Sequence, residues 1–171
     1  MTLDGFVDAL EGYRGVVPIV ELTALLERLE VTAGDVAHAM RFGDHEYRRT
    51  LLTAGDAYEL LVGCWKSGQR SPIHDHRGSS CGVKVLQGRA TEVTFSRDAS
   101  GRLVEGKARE LGEGDVCGAF DRDIHELGNR FPGDLVTLHV STPPLKTVGV
   151  YERESTRVVD WKASRGITTK D

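Results

Sequence analysis

Six histidines stand in this chain, at positions 38, 45, 74, 76, 125 and 139, and two of them are written His74-Asp75-His76. Alternate residues of a β-strand point to the same face. On a strand, His74 and His76 therefore face one way and can converge on one ion, while Asp75 faces the other. Neutral imidazole is a ligand for iron, zinc, nickel and copper alike. Two imidazoles do not complete a site. A third ligand must come from another strand, and His125 or His139 can supply it. An isolated His-x-His is as often a hydrogen-bonded or surface pair as a ligand pair, so its surroundings decide.

Those surroundings read as β structure. From about residue 57 the segments YELLVGCW, CGVKVLQG, ATEVTF, KARELG, DVCGAF, LVTLHVST and VGVYERE are short and rich in Val and Thr. Gly, Asp, Asn, Ser and Pro separate them, as turns require. Many short strands at this spacing predict a sandwich or small barrel. SRDASGRLVEG reads as a polar hairpin loop. Upstream, residues 3–40 read as helical. LDGFVDALEG and PIVELTALLERLE repeat apolar residues at three and four, the second opening on Pro18, which a first helical turn tolerates. Thr32 reads as the N-cap of a further helix over AGDVAHAM, which places His38 on that helix as a packing or surface residue. The expected architecture is mainly β and one domain over 1–171: a helical N-terminal cap over 1–45, a small β-barrel over 46–160 and a polar tail over 161–171.

Composition excludes several functions. The chain has 171 residues, 28% of them charged, with a net charge of −4. No basic run or basic–aromatic stripe offers phosphates the clustered Lys and Arg that nucleic acid demands, so no nucleic-acid partner is expected. The opening MTLDGFVDALEG carries acids where a leader carries cations. No segment approaches the roughly 20 apolar residues of a membrane helix. A soluble, cytoplasmic, monomeric protein is expected. Cys64, Cys81 and Cys117 form no CxxC pair, and three cysteines make no disulfide framework. Cys64 and Cys117 sit in apolar surroundings and read as core residues.

The residues around the histidine pair carry a family resemblance. Gly68 precedes His74, Gly88 follows Cys81, and Gly114, His125 and Asn129 recur in order further on. This resembles the two motifs of the cupin family, jelly-roll-like small β-barrels. Cys81 stands where the first motif has a glutamate, and Phe120 and Arg122 replace a proline and a glycine of the second. Three neutral imidazoles without that glutamate leave a divalent metal with open positions for an anionic chelating substrate and dioxygen. Within cupins, CWKSGQRSPIHDHRGSSCGVKVLQG (64–88), Tyr47 and Arg49 in EYRRTLL, His125 in DIHELGN and His139 in LHVSTPPL resemble the cysteine dioxygenases and related thiol dioxygenases, over roughly residues 40–150.

That resemblance implies a set of roles. His74, His76 and His125 would hold iron(II). Arg49 would bind the substrate carboxylate, because a guanidinium offers a permanently charged two-pronged donor. An arginine here goes with amino-acid-like thiols, a glutamine with 3-mercaptopropionate. Tyr47 would aim its hydroxyl at the reacting oxygen or the carboxylate, and His139 would stand behind the metal ring as a catalytic histidine. Cys81 and Ser141 would line the substrate pocket. The family has a tyrosine at position 141, which in many animal members crosslinks to the cysteine; with Ser141 here that thioether is not expected and the site is roomier. The implied reaction adds both atoms of O2 to the sulfur of a small thiol carboxylate, L-cysteine giving cysteine sulfinate. The rivals are another thiol acid (3-mercaptopropionate, mercaptosuccinate or a bulkier thiol), a non-catalytic metal-binding sensor, or a zinc or nickel cupin with isomerase or hydrolase chemistry. His45 receives no role.

Overall fold

Both amphipathic segments near the N-terminus form helices in the computed structural model, which describes residues 1–162. Helix α1 spans Leu3–Glu11 and buries Phe6 and Leu10; the Thr2 hydroxyl caps it by accepting the Gly5 N–H at 3.2 Å. Helix α2 spans Ile19–Arg28, with Pro18 as its N-cap residue, and buries Leu22, Leu25 and Leu26. The helix expected after Thr32 does not form. Thr32 and Asp35 do make reciprocal capping bonds, but only turns and a single 3-10 turn, Ala37–Ala39, follow. AGDVAHAM carries a glycine and an aspartate, poor interior helix formers, in a run of only eight residues, too short to offset them.

Eleven strands follow among the described residues: β1 (Arg48–Ala54), β2 (Glu59–Trp65), β3 (Ile73–His74), β4 (Ser80–Gln87), β5 (Ala90–Arg97), β6 (Leu103–Leu111), β7 (Val116–Phe120), β8 (Ile124–Gly128), β9 (Leu135–Thr142), β10 (Thr147–Tyr151) and β11 (Val158–Lys162). One sheet has the order β1-β2-β9-β4-β7, the other β11-β10-β3-β8-β5-β6, and every pairing is antiparallel. The loop read in SRDASGRLVEG is shorter than expected. Strands β5 and β6 run into it from both sides, and Asp98 closes the turn by accepting from the backbone of Ser100 and Arg102. Of the tail placed at 161–171, Trp161 and Lys162 belong to β11; the rest lies outside the described residues.

Strand parity divides the five-stranded sheet. Leu60, Val62, Cys64, Val136, Leu138, Val140 and Leu86 point outward and pack with α1 and α2 in one apolar cluster. The helices come close because Gly82 and Gly118 have no side chain: a Cβ at Gly82 would sit 2.4 Å from Leu26, and one at Gly118 2.7 Å from Thr23. The alternate residues, including Arg49, Gly63, Thr137, His139, Ser141, Cys81 and Val83, share rows on the opposite face and look toward the second sheet. With both faces covered, these strands show continuous apolar runs instead of clean alternation.

The motif positions acquire mechanical reasons. Gly88 has φ +82, and a Cβ there would lie 2.5 Å from the Asp134 carbonyl oxygen. Asn129 is buried; its amide donates to the carbonyls of Trp65 and Gly133 and its oxygen accepts from the Phe131 N–H. It thus ties the turn after β8 to the end of β2. Lys84, on the helix side of β4, is buried and donates to the Leu26 carbonyl at 2.9 Å and the Glu27 carbonyl at 3.4 Å. A cation there satisfies last-turn carbonyls of α2 and complements the helix dipole. Lys84→Met keeps the apolar stem but removes this donor, leaving the Leu26 carbonyl with only the Leu29 N–H among the described residues. It is expected to lower stability by about 1–3 kcal/mol in urea unfolding; an unchanged midpoint would show that this cap contributes nothing.

Candidate metal centre

Strand β3 pairs with β8 so that His74 and His125 are direct cross-strand partners. Opposed residues of an antiparallel pair have neighbouring side chains. His76 follows two residues after His74 and returns to the same side. The three rings form a near-equilateral triangle, with centroids 4.9 Å (His74–His76), 4.8 Å (His74–His125) and 4.9 Å (His76–His125) apart. One potential ligand atom from each lies within 4.8 Å of the others. His139 is not part of this triangle. Asp75 points the other way, as strand alternation predicts. It is fully buried and accepts from the Gly149 N–H and the Tyr151 hydroxyl, both at 2.7 Å, with Arg77 beside it.

The hydrogen bonds behind the rings set their chemistry. His74 Nδ1 lies 2.9 Å from the Pro72 carbonyl oxygen and His125 Nδ1 2.8 Å from a Glu92 carboxylate oxygen. Both oxygens accept only, so each Nδ1 carries a proton, the tautomer whose Nε2 is the nitrogen left to bind a metal. Nδ1 of His76 is buried and has no hydrogen-bond partner among the described residues. Burial, then the neighbouring His125, pulls the His74 imidazole down to about 3, and burial holds His76 well below the ordinary range. Converging neutral imidazoles with lone pairs and an unmet ring nitrogen are a donor set that fits a divalent metal.

The pocket in front of the triangle is lined from both sheets. Tyr47, Arg49, Cys81, His139 and Ser141 line it together with Leu145, Val148 and Val150. Arg49 has a buried Nε with no hydrogen-bond partner and forms no ion pair among the described residues. An unpaired guanidinium facing a pocket is a receptor for an anion. Arg48, its neighbour, is exposed. Tyr47 is 3% exposed, and its ring stacks on Trp65 at 3.9 Å with planes 2° apart. Burial raises its phenol pKa and keeps it protonated.

The Trp65 indole N–H donates to the Thr137 hydroxyl at 2.9 Å, and that hydroxyl lies 2.8 Å from His139 Nε2. An indole N–H only donates, and the Thr137 hydroxyl reaches both His139 Nε2 and, at 3.4 Å, the Gly63 carbonyl oxygen, so this one hydroxyl links Trp65, Gly63 and His139. A Cβ on Gly63 would fall 2.5 Å from the Thr137 oxygen and 2.9 Å from both nitrogens of this chain. Gly63 therefore leaves the room in which the chain is built. The Cys81 thiol donates to the Ser141 hydroxyl at 3.4 Å, and burial pushes it up to about 12, so it stays a thiol. His38 and His45 are exposed and neither reaches the triangle.

Glu92, Thr137, Gly63 and the apolar wall of Leu145, Val148 and Val150 carry no role in the sequence reading. Two had a visible signal. Thr137 stands two residues before His139 in one strand, on the same face, and Glu92 is a lone acid inside the apolar segment ATEVTF.

The family model for cysteine dioxygenase type I matches residues 13–154. Cysteine dioxygenase type 1 of Rattus norvegicus is 29% identical over 144 residues, covering 81% of this chain and 72% of the relative. An uncharacterized conserved protein with a double-stranded β-helix domain from Klebsiella pneumoniae has a TM-score of 0.60 at 19% identity, over 69% of this chain and 89% of its own. A cupin-superfamily sugar phosphate isomerase from Silicibacter pomeroyi has a TM-score of 0.54 at 18% identity, over 82% and 83%. The structural likenesses establish the double-stranded β-helix, or cupin, fold. His125→Ala removes one corner of the triangle and is expected to abolish stoichiometric metal binding, measured by metal analysis of the loaded, folded protein. Full occupancy in that variant would remove His125 from the ligand set.

Proposed function

This chain belongs to the cysteine dioxygenase type I family, and from that premise we propose that it is an iron(II) thiol dioxygenase whose substrate is L-cysteine and whose product is cysteine sulfinate. In this reading His74, His76 and His125 hold the metal. The observation that carries the substrate class is Arg49, an unpaired cation facing the same pocket as three neutral imidazoles. A divalent metal in that ring keeps its full charge, because Cys81 stays a thiol and Glu92 lies behind His125. The pocket is then strongly positive and selects a small molecule with two anionic groups, a thiolate and a carboxylate.

Iron(II) supplies, when bound, the open positions at which thiolate and dioxygen meet and the electron transfer between them. Arg49 takes the carboxylate in a charge-assisted bond and so fixes the direction in which the sulfur enters, turning a collision into a positioned encounter. Tyr47, kept protonated by burial and held flat on Trp65, offers its phenol as a donor. His139, oriented by Thr137, lines the same pocket as Ser141. Leu145, Val148 and Val150 exclude water from the sulfur's side, which strengthens every charge interaction inside. Sulfur receives both oxygen atoms and gives up the electrons that dioxygen takes, so no organic cofactor is required.

Ser141 in place of the family tyrosine favours a second reading within the same chemistry, a bulkier or different thiol acid. Oxygen uptake by the iron(II)-loaded protein separates them. With L-cysteine, uptake of one O2 per thiol and a product heavier by two oxygens is expected; uptake with mercaptosuccinate or 3-mercaptopropionate but not with cysteine would reassign the substrate. Arg49→Ala is expected to raise KM for the carboxylated thiol roughly ten- to a hundred-fold, the loss of a charge-assisted hydrogen bond of about 1.5–3 kcal/mol. An unchanged KM would separate Arg49 from the carboxylate.

A further inference from the structure

The three imidazoles are not equivalent behind the metal-facing side. His125 donates to a carboxylate, His74 donates to a neutral carbonyl, and His76 Nδ1 meets no protein partner among the described residues. A carboxylate that accepts the N–H of a ligand imidazole draws the proton toward itself and makes the ring a stronger donor; a carbonyl does so less. Glu92, on β5, is 2% exposed, and its two oxygens are divided: one takes the His125 N–H at 2.8 Å, the other the Arg109 Nε–H at 2.6 Å. Arg109, on β6, is half exposed, at 52% of its side chain. His125 is the wall between the metal pocket and a second, solvent-facing cavity that Glu92 and Arg109 line.

We infer that Glu92 is a positioning residue for the metal, acting through His125, and that Arg109 sets how much of the carboxylate's charge reaches the imidazole. The inference rests on the reading that His74, His76 and His125 hold a metal. Its physical content is a sign. An anionic partner behind a ligand stabilises the higher oxidation state of the metal and lowers its reduction potential. Removing that charge raises the potential. Removing the cation that competes for the same carboxylate frees more of its charge for His125 and lowers the potential. A purely structural buried ion pair has no such opposition: loss of either partner would loosen the site in the same direction.

The test uses the full chain with two variants, Glu92→Gln, which keeps an acceptor oxygen and the shape, and Arg109→Gln, at the half-exposed position. Zinc affinity is measured by competition with a chromophoric chelator in the absence of any thiol, and the iron reduction potential by mediated titration. Glu92→Gln is expected to weaken zinc binding about 10- to 100-fold and to raise the iron potential. Arg109→Gln is expected to leave zinc affinity equal or tighter and to lower the potential. Shifts of the same sign in both variants, or no shift in either, would overturn the inference. Where Glu92→Gln does not fold, Arg109→Gln decides by itself: a lowered potential supports the inference, an unchanged or raised one overturns it. Neither measurement involves substrate, so a wrong thiol assignment leaves it untouched. Failure of the unaltered protein to bind zinc or iron would instead remove the metal reading on which it rests.

Discussion

Strand β3 consists of Ile73 and His74, and it runs between β10 and β8. A strand this short cannot hold its own place by ladder hydrogen bonds, yet His74 must stand opposite His125 for three imidazoles to converge. Asp75 solves this from the other face. Its buried carboxylate takes the Gly149 N–H and the Tyr151 hydroxyl of β10, with Arg77 as countercharge, and so pins the His-Asp-His segment against the sheet. Gly149 is bare for the same reason, since a Cβ there would lie 2.7 Å from an Asp75 oxygen. The strand ends at His74, and the extended His74–His76 segment uses its two faces for two jobs, ligation inward and fastening outward.

The charge pattern follows from this closure. The protein presents neutral nitrogen to the centre of the pocket, with a protonated thiol at Cys81 and a protonated phenol at Tyr47 on the walls. The one permanently charged side chain lining the pocket is Arg49, which forms no ion pair among the described residues. The buried carboxylates nearby, Glu92 and Asp75, are both turned away and occupied. Arg49 is half-buried, with its Nε shut off from water and without a hydrogen-bond partner among the described residues; that cost is offset when an anionic ligand arrives. The pocket is in this sense unfinished without its substrate.

Two sheets contribute different parts. The six-stranded sheet holds the imidazoles and the carboxylate behind His125. The five-stranded sheet holds Arg49, Cys81, Ser141 and the Trp65–Thr137–His139 chain. Its outer face is clamped by α1 and α2, with Gly82 and Gly118 allowing the close approach and Lys84 capping α2 from below. The helical cap is therefore remote from the chemistry but sets the backing against which the arginine and His139 are held.

Much of this was legible in the residue order. His74 and His76 on one face with Asp75 on the other follow from strand periodicity alone, and the apolar spacing of α1 and α2 was enough to form them. The motif glycines and Asn129 marked turns whose geometry only glycine or a two-way amide can satisfy. The strands β1, β3, β8 and β11 were not delineated: β3 has only two residues and β8 only five, with His125 and Glu126 inside it, while β1 and β11 carry charged residues that mask their Thr and Val. Periodicity left His125 and His139 both open as third ligand, the family resemblance pointed to His125, and the pairing supplies the reason: β8 lies beside β3, whereas β9 lies in the opposite sheet. Glu92 is marked in the sequence only as a lone acid in an apolar segment and becomes a partner of His125 because β5 pairs with β8. Local periodicity determines which way a side chain points; which side chains then meet depends on strand order and register, and those are properties of the folded sheet.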